Sequence, residues 1–211
     1  MQNLSEDILT RYQSIKNSIP SNVTLTVVTK KHAMEKISPL INLGHKEFGE
    51  NYIQEAKEKW SNISGINLKL IGNLQSNKIK DSLSIFDEIH TVHCLELAQK
   101  IKKNITQTTR TKIFYAQINI GNEEQKYGIA PDFFMDFFEK SPLEISGIMC
   151  IPPEGIDPSK YFLQMMEIKE AITIKFGKEL KLSMGMSNDF QTAIKIGSDE
   201  IRIGSAIFGQ R

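Results

Sequence analysis

The feature that most constrains this chain is a regular alternation. Short apolar runs recur at about 24–30, 46–49, 67–72, 88–92, 112–120, 143–151, 180–185 and 200–204. Longer segments of helical period separate them, at about 33–43, 52–60, 75–84, 94–105, 131–140, 159–176 and 188–197. This pattern implies parallel strands joined by helical crossovers, since a parallel neighbour cannot be reached through a tight turn. Eight strands predict closure into a (β/α)8 TIM-type barrel, with an open doubly wound sheet as the alternative. A further helix is predicted at the N-terminus, where "MQNLSEDILTRYQSIKNSIP" sets Leu4, Ile8, Tyr12 and Ile15 on one face. Little sequence follows the last strand, so the eighth outer helix is expected to be short or missing, and the N-terminal helix is available to cover the gap. No Pro/Gly/Ser-rich linker divides the chain, which predicts one domain over 1–211.

Composition narrows the partners. A formal net charge of +1 gives no bulk attraction to nucleic acid or to a membrane surface, so any anion must be caught locally. Cys94 and Cys150 are too few and too far apart for a disulfide framework or a CxxC pair, and read as reduced thiols. The N-terminus lacks the apolar run of a signal peptide or membrane span, which predicts a cytoplasmic protein.

In such a barrel the chemistry sits at the C-terminal ends of the strands, with phosphate often held after strands seven and eight. Those loops read "SMGMSNDF" (183–190) and "RIGSAIFG" (202–209). Ser187, Asn188 or Asp189 can cap the following helix, and Gly204 and Ser205 offer close backbone approach and a hydroxyl. Ordinary turn chemistry is the competing reading of either loop. In "EIRIG", Ile201 and Ile203 share one face and Arg202 and Gly204 the other, so Arg202 is expected to enter the barrel. Such a guanidinium needs an anionic or acceptor partner, because it does not lose its charge. In "LTVVTKKHAM", Leu25 and Val27 face the helices, which directs Lys30 inward and Lys31 to the rim. A desolvated lysine amine becomes nucleophilic toward aldehydes, although parity at a strand end leaves the choice between the two lysines open. His90 and His93 lie three apart with no acidic or thiol ligand evident, so no metal site is expected. His32 and His45 read as solvent-side helix residues.

These stretches, with "EFGENYIQE" (47–55) and "IGNLQSNK" (71–78), resemble the pyridoxal phosphate homeostasis protein family over nearly the whole chain. That family consists of single-domain relatives of the alanine racemase barrel. The resemblance implies pyridoxal 5′-phosphate (PLP) as cofactor, carried as a Schiff base on Lys30, the first of the adjacent lysines. It implies Asn51 near the ring, Ser187, Gly204 and Ser205 around the phosphate, and Arg202 facing the pyridine nitrogen. A permanently charged arginine there disfavours protonation of that nitrogen and makes the ring a weak electron sink. The chain departs from the family at Leu68, Lys69, Asn73, His93, Gln125 and Tyr127. Those changes call into question ligand contacts around the mouth more than the attachment itself.

The resemblance therefore implies vitamin B6 homeostasis without catalytic residues: a monomer that buffers PLP and hands it to apo-enzymes. The alternatives are a PLP-dependent amino-acid racemase and a Schiff-base aldolase acting on a sugar phosphate. A racemase requires an acid/base on the opposite face, which two-domain enzymes draw from a second domain and a partner subunit.

Overall fold

A computed structural model describes residues 2–209, with side chains from Glu6 onward. Eight parallel strands close into a barrel in sequence order: β1 (Thr24–Val28), β2 (Glu47–Glu50), β3 (Asn67–Leu70), β4 (Glu88–Val92), β5 (Ile113–Ile118), β6 (Ile145–Cys150), β7 (Lys181–Ser183) and β8 (Glu200–Ile203). The seam joins β1 to β8, with Thr24 opposite Glu200 and Thr26 opposite Arg202. The closed barrel holds, and the open sheet does not.

Period two decides what each strand buries. Leu25, Val27, Phe48, Leu68, Leu70, Ile89, Phe114, Ile148, Leu182, Ile201 and Ile203 are buried, and alternation turns them all to the helix layer. The helices present their own apolar stripes: Ile37 and Leu40 from α2 (Met34–Asn42), Ala56 and Trp60 from α3 (Ile53–Trp60), and Leu83 from α4 (Ile79–Ile85). Leu97 and Ile101 of α5 (Leu95–Asn104), Phe134 and Phe137 of α6 (Phe134–Lys140), and Phe162 and Met165 of α7 (Ser159–Phe176) complete most of the ring. Short 3-10 turns at Ser76–Lys78 and Pro131–Phe133 replace the first turns expected of α4 and α6. Helix α7 stops at Gly177, whose left-handed φ of 64° takes the helix-ending position that glycine fills without a Cβ clash.

The last outer helices are α8 (Phe190–Ile196) and the single turn α9 (Ser205–Phe208). The N-terminal helix α1 (Gln2–Ser18) packs on α2 and α9 and covers the seam, as expected. Ile8, Tyr12 and Ile15 are its buried face; the side chain of Leu4 lies outside those described. Arg11 Nε donates to the Ile207 carbonyl at 2.7 Å, which fastens α1 to α9. Among the described residues no helix is long and apolar enough to cross a membrane.

Most strands end before the apolar runs do. The ladder of β1 stops at Val28, because Thr29 makes one more bond to the Gly49 carbonyl and Lys31 then adopts φ 61°. A left-handed residue cannot continue a strand. His32 and His45 are corrections: both are buried and neither lies in a helix. His45 sits between α2 and β2, where Nε2 donates to the Glu47 carbonyl at 2.8 Å and Nδ1 accepts from the Tyr12 hydroxyl at 3.1 Å. Helical period brought it near a surface, but the chain turns inward after Gly44 and buries the ring against Phe48.

Burial lowers the His45 pKa to about 4 from an ordinary 6.5. The unfolded chain therefore takes up this proton near pH 6.5, whereas the folded chain resists until about 4. The stabilisation is complete above pH 6.5 and is lost as the pH falls toward 4, by roughly 3 kcal/mol at 1.4 kcal/mol per pH unit. Urea unfolding from pH 7 to 4 should show a smaller loss for His45→Gln than for the wild type. Parallel curves would remove His45 from the acid sensitivity.

Candidate functional site

A cavity of about 740 Å³ opens at the C-terminal ends of the strands, on the side of β1, β7 and β8. Its size is that of a small-molecule site. Lys30, Ser187, Arg202, Gly204 and Ser205 all line it. Five of the six residues singled out in the sequence are thus brought together.

Lys30 is held at the wall by the turn behind it. His32 N–H donates to the Thr29 carbonyl, and Lys31 N–H donates to a Glu55 carboxylate oxygen. Lys59 Nζ reaches the Thr29 carbonyl at 2.7 Å, Glu50 at 2.5 Å and Glu55 at 3.0 Å. Glu50 also accepts from Thr29 Oγ1 at 2.6 Å and Trp60 Nε1 at 3.1 Å. Burial pushes the Glu50 carboxyl above its ordinary range, against the opposing pull of Lys59, Thr29 and Trp60. This network fastens the turn after β1 to β2 and α3. Within it Lys31 points to solvent and Lys30 to the cavity, which matches the parity reading.

Arg202 is 4% exposed and lies in the barrel as expected. Its Nη1 donates to Ser183 O at 2.7 Å and Ser183 Oγ at 2.8 Å, and Nη2 donates to Cys150 O at 2.8 Å. Its hydrogen-bond partners are therefore neutral acceptors, which fix the plane of the guanidinium beside the cavity. Burial lowers its pKa, though a guanidinium starts so high that it keeps its charge. Burial likewise pushes the neighbouring Cys150 thiol up to about 12, against the pull of Arg202. Cys150 and Cys94 are both free thiols.

The two expected phosphate loops meet. Ser187 Oγ accepts from the Ala206 N–H at 3.2 Å, so the loop after β7 is joined to the turn that begins α9. The Asp189 carboxylate accepts from the Met186 N–H at 2.5 Å and shapes the first loop. Gly185, with φ 96° and a Cβ position 2.6 Å from Ala193, lets that loop leave β7.

Asn51 is the exception among the expected residues, since it does not line the cavity. Its Oδ1 is nevertheless buried with no hydrogen-bond partner. A Cβ on Gly72 would stand 2.1 Å from the Asn51 carbonyl oxygen, so Gly72 is what permits Asn51 its position.

Sequence reading missed two walls of this cavity. The loop "IPPEGIDP" (151–158) supplies Pro152, Pro153, Ile156 and Pro158, and His32 stacks on Phe208 at 4.3 Å beside it. Its three prolines within seven residues leave no room for helix or ladder, but nothing local tells which way the loop folds. The departures from the family motifs also fall differently from expectation. Leu68 is buried beneath the helices, and Lys69 is buried inside the barrel rather than at its mouth. His93 and Tyr127 face each other at 5.1 Å, beside a separate cleft of about 210 Å³ that Gln125 also lines. Asn73 is exposed. His90 is a further correction, because acidic side chains do accompany it: Glu88 at 2.7 Å and Glu200 at 3.8 Å.

Comparison with known proteins agrees with the resemblance. The profile of the "Alanine racemase, N-terminal domain" family matches residues 5–211. The pyridoxal phosphate homeostasis protein of Aquifex aeolicus is 33% identical over 84% of this chain and 82% of its own length. That of Schizosaccharomyces pombe is 31% identical over 96% of this chain and 90% of its own. Among solved structures, PipY of Synechococcus elongatus PCC7942 with PLP bound is 27% identical with a TM-score of 0.84, covering 96% of this chain and 100% of that one. Alanine racemase of Clostridium difficile shares the fold at 15% identity and a TM-score of 0.77, and this chain spans 57% of it. The chain belongs to the pyridoxal phosphate homeostasis protein family, within the wider family of alanine racemase N-terminal barrels.

Proposed function

We propose that this protein binds PLP reversibly in the cavity at the C-terminal end of the barrel and serves vitamin B6 homeostasis as a carrier, not as an enzyme. The observation behind this reading is the convergence of Lys30, Ser187, Arg202, Gly204 and Ser205 on one cavity. A relative of the same fold is described with PLP bound, which supports the choice of cofactor.

The donor set fits the group. PLP supplies an aldehyde that condenses with a lysine amine. Lys30 presents that amine from a turn that the Glu50–Lys59–Glu55 network immobilises. Ser187 and Ser205 offer hydroxyl donors, and Gly204 offers a backbone without a side chain, for the phosphate. Arg202 stays charged, and the resemblance puts it against the ring nitrogen, where it withholds the proton that racemase chemistry uses. Asn51, with its orphaned Oδ1, completes the reading beside the ring. The same reading takes the protein as a cytoplasmic monomer that passes PLP to apo-enzymes; light scattering on the eluting protein checks the monomer.

Three outcomes follow from this assignment. Borohydride reduction of PLP-loaded protein and peptide mass mapping should place the pyridoxyl group on Lys30. A label on Lys31 or on neither lysine would sink the attachment. Ser187→Ala combined with Ser205→Ala should raise the dissociation constant for PLP more than tenfold, because each bond to a charged acceptor contributes about 1.5–3 kcal/mol. An unchanged titration would move the phosphate elsewhere. Holo-protein incubated with L-alanine or L-serine in deuterated water should show no enzyme-like exchange at Cα and no change in chirality. Turnover of several per second, abolished by Lys30→Ala, would make the protein a racemase.

A further inference from the structure

One wall of the cavity lies outside the sheet and its helices. Residues 151–158, "IPPEGIDP", run from the end of β6 to the start of α7 and close the cavity on that side. The remaining walls belong to the turn after β1 and to the loops after β7 and β8. Prolines at 152, 153 and 158 carry no N–H, so those positions donate no bond that would anchor the loop. Pro152 is buried, whereas Glu154, Gly155, Ile156 and Asp157 are exposed. Gly155 turns this exposed tip with φ 74°, in the left-handed region. The loop is thus a buried base that carries an exposed tip beside the cavity.

The base is gripped by the loop that follows β5. Lys126 Nζ donates to the Pro152 carbonyl at 3.1 Å. Two residues earlier, Arg202 Nη2 donates to the Cys150 carbonyl at 2.8 Å. Two cations therefore hold alternate carbonyls where β6 runs out. Lys126 is itself positioned, because its ammonium pairs with the Glu123 carboxylate. Asn119 ties the turn between them: Nδ2 donates to the Glu123 carbonyl at 2.9 Å and the Lys126 carbonyl at 3.2 Å, and Oδ1 accepts from the Glu123 N–H at 3.1 Å. The two loops also touch directly. A Cβ on Gly121 would stand 2.5 Å from Pro153 Cγ, so a side chain there would push them apart. Residues 119–126 form a bracket, and Lys126 bears on the cavity wall from outside without lining the cavity.

We propose that Lys126 is a positioning residue for the cofactor: by holding the Pro152 carbonyl it keeps the proline loop against the cavity, and so sets how fast PLP leaves. The inference rests on the PLP reading. Strand ends and helix starts fix the other walls, which leaves the proline loop as the wall that can swing. A loop of this kind gates release by opening and closing, while the chemistry at Lys30 stays the same. Loss of the Lys126 bond frees the base, and the exposed tip then has nothing behind it to resist opening. Glu123 acts one step further back, by aiming the ammonium at the carbonyl.

The test compares wild type, Lys126→Met, Lys126→Arg and Glu123→Gln as full chains loaded with PLP. Release is followed as loss of bound-PLP absorbance after dilution into phenylhydrazine, at concentrations where the rate no longer depends on this trap. Lys126→Met should release PLP about tenfold faster, as expected for the loss of a hydrogen bond from a charged donor. Lys126→Arg should restore most of the wild-type rate. Glu123→Gln, which keeps the lysine and removes its ion pair, should fall between and gives the same comparison by a separate variant. Uptake of PLP should not slow, and the melting temperature of the unloaded variants should stay near that of the wild type. A merely structural bond would shift the melting temperature and leave release alone. In unloaded protein, nitrogen-15 relaxation should show larger motion at Gly155 and Ile156 in Lys126→Met than in the wild type. Unchanged release in Lys126→Met, or unchanged motion at both residues, would overturn the inference and leave the cofactor reading standing. Wild-type protein that takes up no PLP would remove the cofactor reading itself, and this inference with it.

Discussion

The pairing of β1 with β8 is the constraint on which everything else rests. It sets Thr26 opposite Arg202 and Thr24 opposite Glu200, and so closes eight short strands into a cylinder. Once the cylinder is closed, alternation divides every strand between an apolar outer face and an interior that must hold whatever the other residues bring. On β8 that alternation delivers Arg202 to the chamber beneath the cavity and Glu200 to the N-terminal end of the barrel interior. The two ends of the barrel interior acquire opposite electrostatic character from one strand, two residues apart. A register slip of one residue along the seam would send both charges into the helix layer.

The cavity depends next on immobilising a flexible residue. A lysine has four rotatable carbons and loses much freedom when it is held. The chain limits this cost by fixing the backbone instead. Lys59, Glu50 and Glu55 hold the turn from α3 and β2, Lys31 takes the left-handed bend, and Lys30 leaves the turn already aimed at the cavity. The acids and the lysine of this network belong to "EFGENYIQE" and the helix after it, which explains physically why that stretch accompanies "VVTKKHA" in one chain.

Much of this was legible beforehand because it is periodic. Strand alternation placed Arg202 inside and Lys30 on the cavity side, and the two loops after β7 and β8 converge as their positions in a barrel require. What was not legible depends on distant partners. His90 was read beside His93, its sequence neighbour, whereas its chemistry lies with Glu200, more than a hundred residues away on the far side of the barrel interior. Lys69 was read as a change at the mouth because it adjoins a motif, but parity carries it inward toward three acids. His45 fits a helical stripe until Gly44 turns the chain. The wall built by "IPPEGIDP" lacks any periodic signal, since its prolines fix local angles and not direction.

The latch between Arg11 and the Ile207 carbonyl bears on the order in which the molecule can form. Helix α1 is made first, yet its buried face rests against α9, and β1 finds its second neighbour only in β8. During synthesis, then, β1 has an unpaired edge and α1 an uncovered apolar stripe until almost the entire chain is available. Contacts so distant in sequence form slowly, because the intervening loop must close first. For that interval the molecule is an open, sticky sheet with β2 onward already able to pair. The longer that seam takes to close, the longer the β1 edge stays open to pairing with another chain.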